Sequence, residues 1–112
     1  MPESSSFRRR RCVEILTEMG TVLREHGHYE QAAVTDRLSR LATEDGDRFV
    51  KELQGIDVWG GAGALWDTCE LGADKSRYWA LVIAFAGVMA KEGIETERAR
   101  GIAKTFSEWL AA

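Results

Sequence analysis

The sequence predicts an all-α fold: a compact single-domain bundle of five to six helices, with a glycine-rich loop before a short helix and a central apolar helix. Three observations predict it. Apolar residues recur at helical spacing along most of the 112 residues, which builds one buried stripe per helix. The single proline stands at position 2, so no proline interrupts a later helix. No stretch alternates apolar and polar residues with β-branched enrichment, so strands are not expected. At 45% apolar and 29% charged, the composition is that of a globular chain. The length suits one domain over 1–112, with residues 1–6 expected to be flexible.

The first helix is expected over about Phe7 to His26. Cys12, Ile15, Leu16, Met19, Val22 and Leu23 fall at i, i+3, i+4 spacings, and Gly27 stands where a C-terminal cap belongs. The second helix, about Tyr29 to Thr43, is expected to turn Tyr29, Ala33, Val34, Leu38, Leu41 and Ala42 inward. A third follows Asp45, with Phe49, Val50 and Leu53 inward and Gly55 ending it. Asp45 and Asp47 suit the N-terminal cap and dipole of that helix.

The segment Gln54-Gly55-Ile56-Asp57-Val58-Trp59-Gly60-Gly61-Ala62-Gly63-Ala64-Leu65-Trp66-Asp67 reads as the glycine-rich loop, entering a short helix over Ala64 to Leu71. A long helix, Asp74 to Glu92, is apolar nearly all round and is expected at the centre of the bundle. Its run Tyr78 to Ala90 is 13 residues long, and a membrane span needs about 20. The last helix, Glu95 to Leu110, groups Ile102, Phe106, Trp109 and Leu110 on one face.

Several chemistries find little support in the residues. Cys12 and Cys69 are too few and too far apart for a disulfide scaffold, and no Cys-x-x-Cys or His-Glu-x-x-His spacing occurs. His26 and His28 are two apart, so on a helix they would not share a face. Neither a metal nor any other cofactor is expected. The N-terminal arginines are not followed by the apolar stretch of a secretion signal, because Glu14 and Glu18 intervene. The expected location is the cytoplasm, with no membrane partner.

The glycine cluster is the most distinctive feature. Gly60, Gly61 and Gly63 can adopt backbone angles that other residues avoid, and free N–H groups before a helix can bind an anion. The cluster lacks the Lys-Ser/Thr of a phosphate-binding loop and the spacing of a dinucleotide fingerprint. A tight turn that brings two helices close, with Trp59 and Trp66 packed beside it, is the favoured explanation. Asp57 and Asp67 flank the loop, either as acid–base groups or as caps of its backbone N–H groups.

In the segment Trp59-Gly60-Gly61-Ala62-Gly63-Ala64-Leu65-Trp66-Asp67, the chain resembles a set of small bacterial helical proteins with no established activity. Those proteins carry a Gly-Gly-x-Gly-Ser-x-x-Asp-like motif after two or three helices. The resemblance covers about the first 70 residues and rests on helix order, Phe49, Leu53, the three glycines and Asp67. Ala64 stands where the motif has a small hydroxyl residue, so nothing nucleophilic remains there. The resemblance implies fold more than function. Small bacterial domains of this look are often immunity or antitoxin-like partners, and this is an analogy.

Charge gives the functional expectation. The net charge is −3. The first 11 residues hold four Arg and one Glu, so they carry +3 and the remainder carries −6. An acidic body suits a partner with a basic surface better than nucleic acid. The expectation is therefore a protein-binding module and not an enzyme, contacting its partner through Asp57, Trp59, Gly60, Gly61, Gly63 and Asp67 on the loop. Glu44, Asp45 and Asp47 on the preceding turn belong to the same surface. The alternative is a small-ligand or anion-binding protein, or a weak enzyme, using the glycine loop and Asp67. A homodimer through the last helix is a further expectation, because Trp109 is the tryptophan best placed for a contact.

Overall fold

The computed structural model describes residues 2–54, 71–91 and 97–111. They form five α-helices: α1 (Pro2–Glu25), α2 (Tyr29–Glu44), α3 (Gly46–Leu53), α4 (Lys75–Lys91) and α5 (Glu97–Ala111). A 3-10 turn, Gly72–Asp74, leads into α4. No strand occurs among the described residues. The radius of gyration is 13.2 Å, the size of one folded unit of this length. The all-α single-domain bundle predicted by the periodicity is what the chain forms.

The first helix begins at Pro2, five residues ahead of the expected Phe7. Proline is tolerated there because the first helical N–H groups have no partner within the helix. Its predicted stripe is buried in full: Cys12, Ile15, Leu16, Met19, Val22 and Leu23. At its end, Gly27 takes φ +80°, a left-handed conformation that costs glycine little. The N–H of His28 donates to Leu23 O at 2.8 Å, and that of Gly27 to Arg24 O at 3.1 Å. These two bonds satisfy terminal carbonyls and reverse the chain into α2.

The inward face of α2 differs from expectation. Ala32, Thr35, Leu38, Leu41 and Ala42 are buried, whereas Tyr29 is 69% exposed and Ala33 is also exposed. The face is rotated because it contains a threonine. Thr35 is buried, and its Oγ1 donates to Ala32 O at 2.6 Å, so its polar atom is satisfied inside the helix. Hydropathy alone pulls the stripe toward Val34, which is only half-buried.

Helix α1 packs against α2 on one side and α4 on the other, and α4 lies between α1 and α5. Tyr78, Val82, Phe85 and Met89 form the buried stripe of α4. Leu81, Ile83, Ala84, Ala86 and Val88 are half-buried around it. The helix is apolar on nearly every side because it serves two neighbours. The 3-10 turn before it has Gly72 at φ +53°. His26 Nε2 lies 3.0 Å from Asp74 Oδ2, which ties the end of α1 to this turn. Leu71 is fully buried in front of the turn.

The last helix buries Ala99 and Phe106, with Ile102 packed against the core. Trp109 and Leu110, which the spacing groups with Ile102 and Phe106, are 51% and 38% exposed. Trp109 reaches Trp79 on the first turns of α4, where that helix ends, so the last turn of α5 has little left to pack on. Among the described residues no helix is long and apolar enough to cross a membrane.

Candidate functional site

The described part of the predicted site is the corner between α2 and α3. Asp45 makes this corner. It closes α2, its N–H donating to Leu41 O at 2.9 Å, and opens α3, its carbonyl accepting from the N–H of Phe49 at 2.9 Å. The Arg48 N–H donates to Asp45 Oδ1 at 3.2 Å, so Asp45 is the N-cap of α3 as the sequence predicted. Below the corner, Phe49 and Leu53 are buried and Val50 packs against the core. Arg37 Nη2 donates to Glu52 Oε2 at 3.1 Å, which fastens α3 to α2. A helix of eight residues is too short to hold itself in water. The cap, the two buried apolar residues and this ion pair hold it together.

Glu44, Asp45 and Asp47 are all exposed on the corner. Two arginines accompany them. Arg40 Nε lies 3.9 Å from Glu44 Oε2, and Arg48 Nε lies 3.9 Å from Glu52 Oε1. Each arginine thus pairs within its own helix, and Asp45 and Asp47 face solvent without a salt bridge to a described residue. The other predicted site residues, Asp57, Trp59, Gly60, Gly61, Gly63 and Asp67, lie outside the described residues, as do Cys69 and the short helix expected over Ala64 to Leu71, apart from Leu71 itself.

A second surface was only half visible in the sequence. Trp79, Phe106 and Trp109 form an aromatic cluster where α4 and α5 meet. The Trp79 and Phe106 rings stack with centroids 5.4 Å apart. Trp109 leans on both, at 5.0 Å from Trp79 and 5.4 Å from Phe106. Lys75 Nζ lies 5.2 Å from the centre of the Trp79 ring, a cation–π contact. Trp79 is half-buried at the edge of the bundle, although the helix that carries it is apolar nearly all round. The i, i+3 spacing of Phe106 and Trp109 was legible. Their partner Trp79, on another helix, was not, because no local pattern encodes which helices become neighbours.

Hollows open beside two groups of described residues. One, of about 560 Å³, opens beside Gly27, His28, Tyr29, Glu30 and Gln31. The other, of about 260 Å³, runs between α4 and α5 beside Ile83, Ala86, Gly87, Ala90, Ala99 and Ala103. Among the described residues along the second, Arg100 is the one that carries a charge, and none of them offers a carboxylate or imidazole for acid–base work. Among the described residues no three His, Cys, Asp or Glu side chains gather closely enough to hold a metal ion. The Cys12 thiol is buried in the core.

Burial holds the Tyr78 phenol well above the usual tyrosine range, because the anion would lose its water. Asp36 hydrogen-bonds Arg24 across α1 and α2 and favours its charged form. Both groups belong to the packing of the bundle. No protein-family model, characterised protein or solved structure matches the chain.

Proposed function

We propose that the chain is a protein-binding module of the bacterial cytoplasm, an immunity- or antitoxin-like inhibitor that covers a basic surface of its partner with acidic helix faces. The observation that carries this reading is the corner of α2 and α3, where Glu44, Asp45 and Asp47 stand exposed together. The corner is preorganised. Its turn is capped and its helix is pinned by Phe49, Leu53 and the Arg37–Glu52 pair. Little ordering entropy remains to be lost on binding. An acidic patch steers a basic partner and speeds encounter more than it adds raw affinity. The −6 carried beyond the first 11 residues acts in the same direction. Asp57, Trp59 and Asp67, which follow α3 in the sequence, complete the proposed contact.

The test is to reverse Glu44 and Asp47 to Lys and leave Asp45 as the cap. The tagged chain is used to pull partners from its native cell extract at low and moderate salt. A stoichiometric basic partner that is released as salt rises, and is not retained by the Glu44→Lys/Asp47→Lys variant, supports the proposal. Binding and salt dependence unchanged by the reversal would refute the acidic contact.

A further inference from the structure

On α5 the residues Gly101, Lys104, Thr105, Glu108 and Trp109 follow the spacing i, i+3, i+4, i+7, i+8. They therefore share one face of the helix, and all five are exposed. The face has a gap at one end and a knob at the other. A Cβ added at Gly101 would meet no atom within 4 Å. Trp109, 51% exposed, is held in place from behind by Trp79 and Phe106. Thr105 stands midway between them, its Oγ1 donating to Gly101 O at 3.0 Å, so its hydroxyl is satisfied within the helix.

We infer that this face is a self-association surface, occupied by α5 of a second copy of the chain running antiparallel about a two-fold axis near Thr105. Two independent features of the face meet this symmetry. The first is shape. Reversing the helix about Thr105 exchanges positions 101 and 109, so each Trp109 ring covers the bare backbone of Gly101 on the other copy. An isologous interface requires this kind of self-complementarity, and it occurs twice.

The second feature is charge. Lys104 and Glu108 are the two charged residues of the face, one of each sign, and neither forms an ion pair with a described residue. The reversal sets Lys104 of one copy within two residues, about 3 Å of axial rise, of Glu108 of the other. Two opposite-charge contacts result, set against one approach of Lys104 to the second Lys104 across the axis at the same rise. A parallel pairing would place Lys104 beside Lys104 and Glu108 beside Glu108, so the charges select the antiparallel orientation. At about 1.5 Å per residue, the 15 residues of α5 give a single short helix seam. That is the low end of specific interface sizes, so the dimer is a weak one. This surface is distinct from the α2–α3 corner, and neither proposal depends on the other.

The test is sedimentation velocity of the full chain from about 1 μM to about 1 mM, a range chosen for a weak, small interface. The wild type is expected to shift from monomer to dimer within that range, at higher concentration when salt is raised. Trp109→Ala and Gly101→Leu each weaken the dimer tenfold or more. Gly101→Leu keeps or raises the melting temperature of the dilute monomer, because leucine is the better helix former, so its effect on dimerisation is not a loss of fold. Lys104→Glu alone and Glu108→Lys alone each weaken the dimer by setting like charges together. The double variant restores it, because the pairs re-form with signs exchanged. A wild type that stays monomeric up to about 1 mM overturns the inference, and so does a dimer that the single reversals leave unchanged. A double reversal that fails to rescue overturns the antiparallel register. Glu44→Lys/Asp47→Lys leaves the dimer as it is, which separates this outcome from that of the partner contact.

Discussion

Thr35 Oγ1 lies only 2.6 Å from where a Cβ on Gly20 would stand, so α1 and α2 meet with a bare backbone against a hydroxyl. Arg24 also crosses this spot, its Nη1 3.2 Å from the same position, on its way to Asp36. Alanine at position 20 would gain about 1 kcal/mol of helix propensity. It would also overpack a buried, β-branched and hydrogen-bonded neighbour, at about 1–3 kcal/mol. Gly20→Ala is therefore expected to lower stability by about 1 kcal/mol in urea unfolding. In the double variant Gly20→Ala/Thr35→Ala the obstructing oxygen is gone. It should be more stable than the sum of the single changes by at least about 0.5 kcal/mol. Simple additivity would mean that the contact is not tight.

Asp45 and Asp47 look alike in the sequence and do different work in the fold. Asp45 accepts the Arg48 N–H at 3.2 Å, whereas Asp47 only sits in the first turn of α3. Asp45→Ala should cost about 1 kcal/mol. Asp47→Ala should cost a few tenths, the size of an exposed dipole interaction. Chemical denaturation distinguishes them, and equal losses would deny Asp45 its capping role.

The phenol of Tyr78 gives the bundle an alkaline limit. Its folded pKa is raised by burial, while an unfolded tyrosine ionises near pH 10. Below about pH 10 both states hold the proton and the stability is fully present. Above it the unfolded chain loses the proton first, so stability falls by up to about 1.4 kcal/mol per pH unit. Tyr78→Phe should flatten this decline in unfolding curves measured between about pH 9 and 11. Tyr29→Phe, at an exposed position, should leave the decline as it is.

The three-ring cluster divides into a structural part and a free part. Phe106 is 3% exposed, and Phe106→Ala is expected to cost about 3–5 kcal/mol. Trp109→Ala should cost the monomer about 1–2 kcal/mol, the worth of two aromatic contacts at a half-open site. A loss at Trp109 as large as that at Phe106, measured on dilute protein, would contradict the exposure of the last turn.

Most of the helical plan was determined by the sequence itself. The stripe of α1, the Gly27 terminus, the Asp45 cap and the Phe49/Leu53 anchor of α3 follow from local rules of helix geometry and backbone satisfaction, which act within a few residues. Where the reading went astray, the cause was a partner distant in the chain. Thr35 faces inward because Gly20 leaves room for it, and its own helix satisfies the hydroxyl. Hydropathy could register neither fact and favoured Ala33 and Val34. Trp79 and Trp109 share an open edge because α5 runs back along α4 to its first turns, and that length relation exists only once the helices are packed. The candidate corner was legible as three carboxylates in a row. That Glu44 lies near Arg40 while Asp47 faces solvent was not, because side-chain partners are chosen only once the turn has formed. Local physics thus decided which residues become helix and where each helix stops. Tertiary packing decided which face each helix turns inward, because burial is settled by the shape of the neighbour as well as by the hydropathy of the residue.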